Sequence, residues 1–307
     1  MSKNTTEEIT QKVSFAIEAK GLTKHYQNGK VKALKNLNLE VKESEIFGFI
    51  GPNGAGKTTT IKLLLDLIRP TSGAAKIFGL DTVKSSVKIR RDIGFLPGEI
   101  FLPENITGIK CIQYFAGFKD RVDVKYLKLI TKKLDLDINK KVGDYSKGNK
   151  QKLAIILAMM HKPKLLILDE PTSGLDPLNQ QTFYDMIAEA KEWGTTTFFS
   201  THILEEAEKI CDRVGIIKNG KLLNIENIDD FKSKNIRNVF IETEEHIPLL
   251  QLRGSSIKKV ERIKDGYHLI TVGKNGDIIK KIAKFGIKDI KISEPSLEEI
   301  FMHYYKS

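Results

Sequence analysis

The sequence predicts an α/β fold built on a parallel sheet, followed by a smaller α+β domain. Three observations lead there. Short apolar runs alternate with helical patterns up to about residue 220. A glycine-rich turn stands between one such run and an amphipathic segment. After Asn219-Gly220, a strong turn signal, the composition becomes rich in Lys and Ile and the pattern changes.

Taken in order, Phe15–Ala19 and Leu37–Val41 read as strands, the second with apolar residues two apart. Glu45–Ile50 is an apolar run that enters the glycine-rich turn. The helix Lys57–Ile68 leaves it, and Arg69-Pro70 stops that helix. Residues 100–160 read as mostly helical, with Phe101, Tyr114, Phe115 and Phe118 among them. Leu165–Leu168 and Thr196–Ser200 are short runs of the buried, parallel type. Beyond the turn, Asn238–Thr243 reads as a strand with a short helix after it. Ile257–Ile263 and Tyr267–Val272 flank Lys264-Asp265-Gly266, a hairpin signal. Asp277–Phe285 is helical and Asp289–Ser293 extended. The order βαββαβ suggests a ferredoxin-like layer. Ser296 and Glu299 form a capping box for a last helix, Leu297–Tyr305.

Composition narrows the class. The 307 residues are 40% hydrophobic and 29% charged, enough apolar content for packed cores and against wholesale disorder. The longest uninterrupted apolar stretch is Leu153–Met160, far short of the roughly 20 residues a bilayer span needs. Met1–Thr10 is polar and shows no secretory signal. Cys111 and Cys211 make neither a disulfide framework nor a metal site, which suits a reducing cytosol. The net charge of +11 asks for an anionic partner but does not choose one. The tail from Glu226 holds about 15 basic against 13 acidic residues, so most of the excess precedes it. A near-neutral tail does not look like a nucleic-acid arm. The lysines at 280, 281, 284, 288 and 291 read as a solvated face.

The chemistry begins at Gly51-Pro52-Asn53-Gly54-Ala55-Gly56-Lys57-Thr58, which fits G-x-x-x-x-G-K-[ST] between a strand and a helix. Glycines let backbone N–H groups turn inward, where they and a helix N-terminus surround phosphate oxygens. Lys57 is placed to reach the β- and γ-phosphates of a nucleotide such as ATP, with Thr59 beside it in the first helical turn. The Thr58 hydroxyl suits Mg²⁺. Leu165-Leu166-Ile167-Leu168-Asp169-Glu170 is an apolar strand ending in two carboxylates. Such ends lie where a parallel sheet meets its ligand. Asp169 suits Mg²⁺, and Glu170 suits orienting or deprotonating an attacking water.

These motifs, with the segments between them, resemble the ATP-binding cassette (ABC) transporter ATPases. Tyr145-Ser146-Lys147-Gly148-Asn149, about 20 residues ahead of Asp169, is similar to the family's LSGGQ signature. Ser173-Gly174-Leu175-Asp176 resembles its D-loop, His202 its switch histidine, and Tyr26 the aromatic that stacks on adenine. The resemblance covers about residues 15–220. It implies a P-loop NTPase fold of the ABC type, a RecA-like core with antiparallel β and helical subdomains. The domains are then a flexible lead-in over 1–14, the ATPase over 15–225 with its helical subdomain at about 98–160, and an accessory domain over 226–307.

The resemblance also implies a mechanism. Two chains would close head to tail around two ATP molecules with Mg²⁺. Lys57 of one subunit and Ser146 and Gly148 of the other would share a γ-phosphate, with Asp176 crossing the interface. Glu170 and His202 would be the catalytic pair. The membrane pathway would come from a separate integral permease, which places the chain in the cytoplasm at the inner face of the cell membrane. The signature variant and Pro295-Ser296-Leu297-Glu298-Glu299-Ile300-Phe301 resemble exporters of the ABC-2 type. Phe101–Phe118 would supply either a groove for a permease helix or the subdomain's own core. The basic excess fits either the anionic inner leaflet or a solvated surface.

One departure stands out. Where the family places the Q-loop glutamine, after Ile93-Gly94-Phe95-Leu96-Pro97, this chain has Gly98 and then Glu99. Two other classes compete. A non-transport ABC ATPase acting on nucleic acid or ribosomes usually carries two cassettes or a coiled-coil insertion, and neither is visible. A module that holds ATP without hydrolysing it would not need Glu170.

Overall fold

The computed structural model describes residues 14–229, 236–243, 247–252, 257–264, 266–272 and 275–293. The lead-in over 1–13 and the capping box at Ser296 and Glu299 with its helix lie outside them. The chain divides into two compact units. The first is Met1–His202 with Gly215–Asn224, and the second is Ile203–Val214 with Ile225–Ser307. The second unit thus takes in a segment that the sequence reading leaves in the ATPase domain. The Ile228 N–H donates to the Asp212 carbonyl at 2.9 Å, which helps tie that segment to the later chain.

In the first unit, β1 (Phe15–Tyr26) and β2 (Val31–Lys42) form an antiparallel hairpin. Leu34, Leu37, Leu39 and Val41 are buried along β2, near the two-residue period of a half-covered strand. Both strands run longer than the sequence predicts. With β4 (Ser72–Ile77) and β5 (Leu80–Asp81) they make an antiparallel sheet in the order β2-β1-β4-β5.

The second sheet carries the chemistry. Its order is β10-β9-β3-β8-β7-β6. Its strands are β3 (Ile46–Ile50), β6 (Ile93–Leu96), β7 (Leu165–Asp169), β8 (Thr196–Thr201), β9 (Arg213–Lys218) and β10 (Lys221–Asn227). β3, β8, β7 and β6 pair in parallel. Every residue of β3, β7 and β8 is buried, as a sheet covered on both faces requires. Parallel pairing brings the carboxyl ends of β3, β7 and β8 to one edge. Register places Ser200 opposite both Phe49 and Asp169.

Helix α1 (Lys57–Leu64) ends four residues before Ile68. Asp66 takes the left-handed conformation at φ 55°, and the Leu67 N–H turns back to the Lys62 carbonyl. Pro70 limits the helix from outside, while Asp66 ends it. After β6, residues 100–107 are not helical. The helices there are α3 (Gly108–Ala116), α4 (Val124–Lys133) and α5 (Lys147–Met159); α2 (Ser86–Asp92) precedes β6. The Asp123 carboxylate caps α4 by accepting from the Tyr126 N–H at 2.9 Å. α6 (Pro177–Glu192) follows β7, with Asp176 as its cap.

His161, just past α5, is buried, and its Nε2 donates to the Ile93 carbonyl at 3.2 Å. Lys119 Nζ donates to the same oxygen at 2.8 Å. Burial, then the Lys119 charge, push the imidazole down to about 4 from its ordinary 6.5. The unfolded chain therefore binds an extra proton between pH 6.5 and 4. Stability should be complete above pH 6.5 and fall as pH drops through that window, by about 3 kcal/mol. Thermal melts of wild type and His161→Gln at pH 7 and pH 4.5 test this. The variant should lose much less on acidification, and equal losses would assign the effect to other groups.

In the second unit, after α7 (Leu204–Ile210), come β11 (Ile236–Thr243), α8 (Leu249–Leu252), β12 (Ile257–Ile263), β13 (Gly266–Val272), α9 (Asn275–Ile282) and β14 (Ile287–Ser293). The sheet order is β12-β13-β11-β14, all antiparallel. This is the ferredoxin-like arrangement, with the first and third strands central. Val239, Ile241, Leu252, Tyr267, Leu269 and Ile282 form its core. The Tyr267 hydroxyl both donates to and accepts from the Ile247 backbone at 2.8 Å. No helix among the described residues is long and apolar enough to cross a membrane.

Candidate functional site

The loop Gly51–Gly56 joins β3 to α1 at the carboxyl edge of the parallel sheet. Gly56 sits at φ 115°, where a side chain would be strained and its Cβ would meet the Ala33 carbonyl at 2.9 Å. A Cβ on Gly51 would approach the Ile217 carbonyl to 2.4 Å. Pro52 and Asn53 are exposed at the loop's tip, Gly54 turns at φ 78°, and Ala55 donates to the Pro52 carbonyl at 3.1 Å. Helix α1 has no side-chain cap and no acid in its first turn. Its leading N–H groups are thus left to an external acceptor. Thr59 is half-buried in that turn.

Lys57 is buried, and its ammonium donates to the carbonyls of Gly51 at 2.6 Å and Pro52 at 3.3 Å. It lies 3.6 Å from Glu170 Oε1. Burial lowers its pKa from the ordinary 10.5, while Glu170 and Asp169 pull the other way. Thr58 Oγ1 donates to Asp169 Oδ2 at 2.8 Å. The other Asp169 oxygen accepts from the Ser200 hydroxyl.

Glu170 follows β7 at φ 48°, an uncommon conformation for a residue with a side chain. Its N–H donates to the Ser200 carbonyl at 3.1 Å, which turns the carboxylate out of the strand. His202 Nδ1 donates to Glu170 Oε1 at 3.1 Å. A carboxylate can only accept here, so Nε2 is left as the free ring nitrogen. Thus Lys57, Thr58, Asp169, Glu170 and His202 form one connected group. A cavity of about 490 Å³ opens against Thr58, Gly98, Glu99, Asp169 and Glu170.

The remaining predicted residues lie elsewhere. Ser146 caps α5, its Oγ accepting from the Asn149 N–H at 3.2 Å. Gly148 packs where a Cβ would meet the Gly174 carbonyl at 2.9 Å. Asp176 accepts from the Asn179 N–H at 2.9 Å, and that bond holds its carboxyl below the usual carboxylate range. None of these three is bonded to the Lys57–His202 group among the described residues. Tyr26 ends β1, partly exposed, with Lys24 Nζ 5.1 Å from its ring centre.

Two participants escape a reading of motifs. Ser200 reads as a strand residue before His202, and only the register of β7 and β8 shows that it holds Asp169. The Gln151 side chain donates to the Pro171 carbonyl, tying α5 to the loop after Glu170. Nothing in the 20-residue spacing signals that bond. Gly98 sits beside the metal-type carboxylate, where a Cβ would meet Asp169 Oδ2 at 3.4 Å, ordinary contact. The glycine is therefore not a steric requirement.

The oxygen donors fit a hard cation. Thr58 and Asp169 offer a hydroxyl and a carboxylate, the pair that suits Mg²⁺ when phosphates and water complete its shell. No group of three or more His, Cys, Asp or Glu side chains among the described residues makes a protein-only cage.

Comparison with known proteins agrees with this chemistry. The ABC transporter family model matches residues 34–173. The bacitracin transport ATP-binding protein BcrA of Bacillus licheniformis is 38% identical over 302 residues, covering 94% of this chain and 97% of its own. An uncharacterized ABC transporter ATP-binding protein of Methanocaldococcus jannaschii is 35% identical, with 91% and 98% covered. Among solved structures, an ATP-binding subunit of an ABC transporter aligns with TM-score 0.66 and 31% identity over 71% of this chain and 92% of its own. A dimeric bacterial ABC transporter cassette aligns with TM-score 0.64 and 29% identity over 69% and 98%. The chain belongs to the ATP-binding subunits of ABC transporters, enzymes that bind and hydrolyse ATP.

Proposed function

We propose that the chain works as a head-to-tail homodimer that closes on two Mg-ATP and drives a separate exporter permease of the ABC-2 type. The observation that carries the catalytic part is the connected group Lys57, Thr58, Asp169, Glu170 and His202 at one sheet edge. Lys57 and the loop N–H groups hold the phosphates, and Tyr26 stacks on the base. Thr58 and Asp169 would hold Mg²⁺, which would supply charge neutralisation to the bound phosphates. Glu170 takes a proton from the attacking water, and His202 fixes the Glu170 carboxylate through Nδ1–H; a hydrogen bond from Nε2 to the γ-phosphate requires the doubly protonated ring, in which both nitrogens donate. One cradle and one signature per chain require a second chain to supply Ser146, Gly148 and Asp176. The near full-length likeness to a bacitracin transport ATP-binding protein supports the transport role.

A second cavity, of about 340 Å³, suits the permease. Phe95, Phe101, Leu102, Phe115, Phe118 and Leu157 are among its lining. Phe101 and Phe118 are exposed, unlike core residues, and such a groove fits an amphipathic helix. Phe95, Pro97 and Phe101 line both cavities, so the segment holding Gly98 is their common wall. Docking there keeps the chain cytoplasmic, at the inner face of the membrane. The test is co-purification of the full chain from membranes with a six-span permease. Recovery without one, or stable recovery with ribosomes, would refute the transport assignment.

Gly98→Gln probes the shared wall. It should fold, since a Cβ there makes only ordinary contact with Asp169 and the position lines a cavity, and it should change the ATPase rate or its stimulation by the permease. Unchanged values for both would remove position 98 from the coupling.

A further inference from the structure

Helix α4 carries four lysines and no acid. Tyr126 and Ile130 are buried, while Val124, Lys125, Lys128, Leu129 and Lys132 are exposed. At about 3.6 residues per turn those five positions form one continuous face, with the lysines in the middle and Val124 and Leu129 at its two margins. Lys133 pairs with Glu189, and Asp123 pairs with Lys162 at 2.9 Å. Lys125, Lys128 and Lys132 pair with no carboxylate among the described residues. Like charges three and four residues apart repel on a helix, so this face carries a cost that no internal anion relieves.

A tryptophan is held against the same helix. Trp193, just past α6, stands edge-on to Tyr126, with ring centres 5.3 Å apart. Lys162 Nζ lies 5.0 Å from the Tyr126 ring centre and 5.1 Å from that of Trp193, and Asp123 fixes it there. The indole N–H donates to Thr195 Oγ1 at 3.1 Å. Yet Trp193 is 45% exposed, beside a helix whose Val124 is 60% and Leu129 47% exposed. Glu192, next to Trp193 in the chain, is exposed too, which leaves the three lysines in excess. A held indole, exposed aliphatic side chains and unpaired lysines together are the composition of a membrane-interface surface.

We propose that this face of α4, with Trp193, binds an anionic lipid surface directly. Lys125 and Lys132 are two turns apart, about 10 Å along the axis, a span that suits several headgroup phosphates rather than one. The indole and aliphatic carbons suit the acyl boundary and have nothing to meet on a free phosphate or a nucleic-acid backbone. The proposal deepens the inner-face placement given above. It needs no permease, so it stands or falls separately from the permease assignment.

The experiment uses the full nucleotide-free chain with vesicles and no permease. The chain has 1 tryptophan, so its emission reports on this face alone. Phosphatidylcholine vesicles with about 30% phosphatidylglycerol should shift the emission to the blue, and brominated acyl chains should quench it. Pure phosphatidylcholine should do neither. Changing Lys125, Lys128 and Lys132 together to Gln should weaken binding roughly 100-fold, about fivefold for each lysine, at an unchanged melting temperature. Raising KCl to about 300 mM should weaken wild type far more than this variant. Lys280→Gln with Lys284→Gln, in the second unit, should leave binding as it is. Vesicle binding with no change in Trp193 emission would overturn the proposal. So would a loss caused by the Lys280 and Lys284 pair but not by the triple change. Binding to a single-stranded RNA through the three lysines, with none to anionic vesicles, would overturn it in favour of a nucleic-acid face. If the triple variant melts lower, quenching of wild type by brominated lipid and the single changes Lys125→Gln and Lys132→Gln decide the matter.

Discussion

Glu170→Gln is expected to slow ATP turnover by ~100-fold or more, the scale of removing a general base. The change keeps the side chain's shape, and the amide oxygen can still accept from His202 Nδ1, now 3.1 Å from Oε1. It removes the proton acceptor and one negative charge beside the γ-phosphate position. ATP affinity should hold or rise for two reasons. Repulsion of the triphosphate falls. Lys57, which lies 3.6 Å from Glu170, also loses a competing anion. The checks are steady-state ATPase rate, equilibrium ATP binding and ATP-dependent dimer formation on one preparation. Turnover within twofold of wild type would show that another group takes the proton.

The readable and unreadable parts of the chain divide by range in sequence. The cradle was legible because its chemistry lies within eight consecutive residues, and the positive φ of Gly54 and Gly56 is what those glycines are for. β7 was legible because an all-apolar run ending in two acids is a local pattern. The C-terminal layer was legible as an order of elements, and the antiparallel pairing of β11 with β13 and β14 follows from it. The rest depends on what distant segments meet. Asp169 is fixed by Thr58 and Ser200, residues 111 and 31 positions away. The end of α1 depends on Asp66 in the left-handed conformation, whereas Pro70, the stronger breaker in the sequence, places that end four residues too far along. The segment Ile203–Val214 lies with the second unit although its pattern continues that of the first. Gly98 shows a different limit. A missing glutamine was plain in the sequence, but that the position lies against Asp169 at ordinary contact distance needed coordinates.

Replacing Lys57 with Met should separate ATP binding from folding. An ammonium bridging two phosphates through charge-assisted hydrogen bonds contributes about 3 kcal/mol, so affinity for ATP should fall by roughly 100-fold. The nucleotide-free fold should not suffer. Burial dominates over Glu170 and Asp169 in lowering the Lys57 pKa, so the charged amine is held in the fold at a net cost. The linkage sign follows. Between the folded pKa and 10.5 the unfolded chain binds more protons than the native one, so wild-type stability should rise with pH through that window. Lys57→Met has no such proton and should show a smaller rise between pH 8 and 10.5. Asp169 keeps Thr58 and Ser200 in the variant, and Glu170 keeps His202. Neither carboxylate is stranded, and the losses are confined to the ammonium's bonds to the Gly51 and Pro52 carbonyls, so the release of the buried charge should offset most of that cost and keep the variant's nucleotide-free melting temperature at pH 7.5 close to wild type. A variant that melts lower yet binds ATP normally would reverse the assignment, making Lys57 a brace for the loop carbonyls of Gly51 and Pro52 and leaving phosphate recognition to the backbone N–H groups alone.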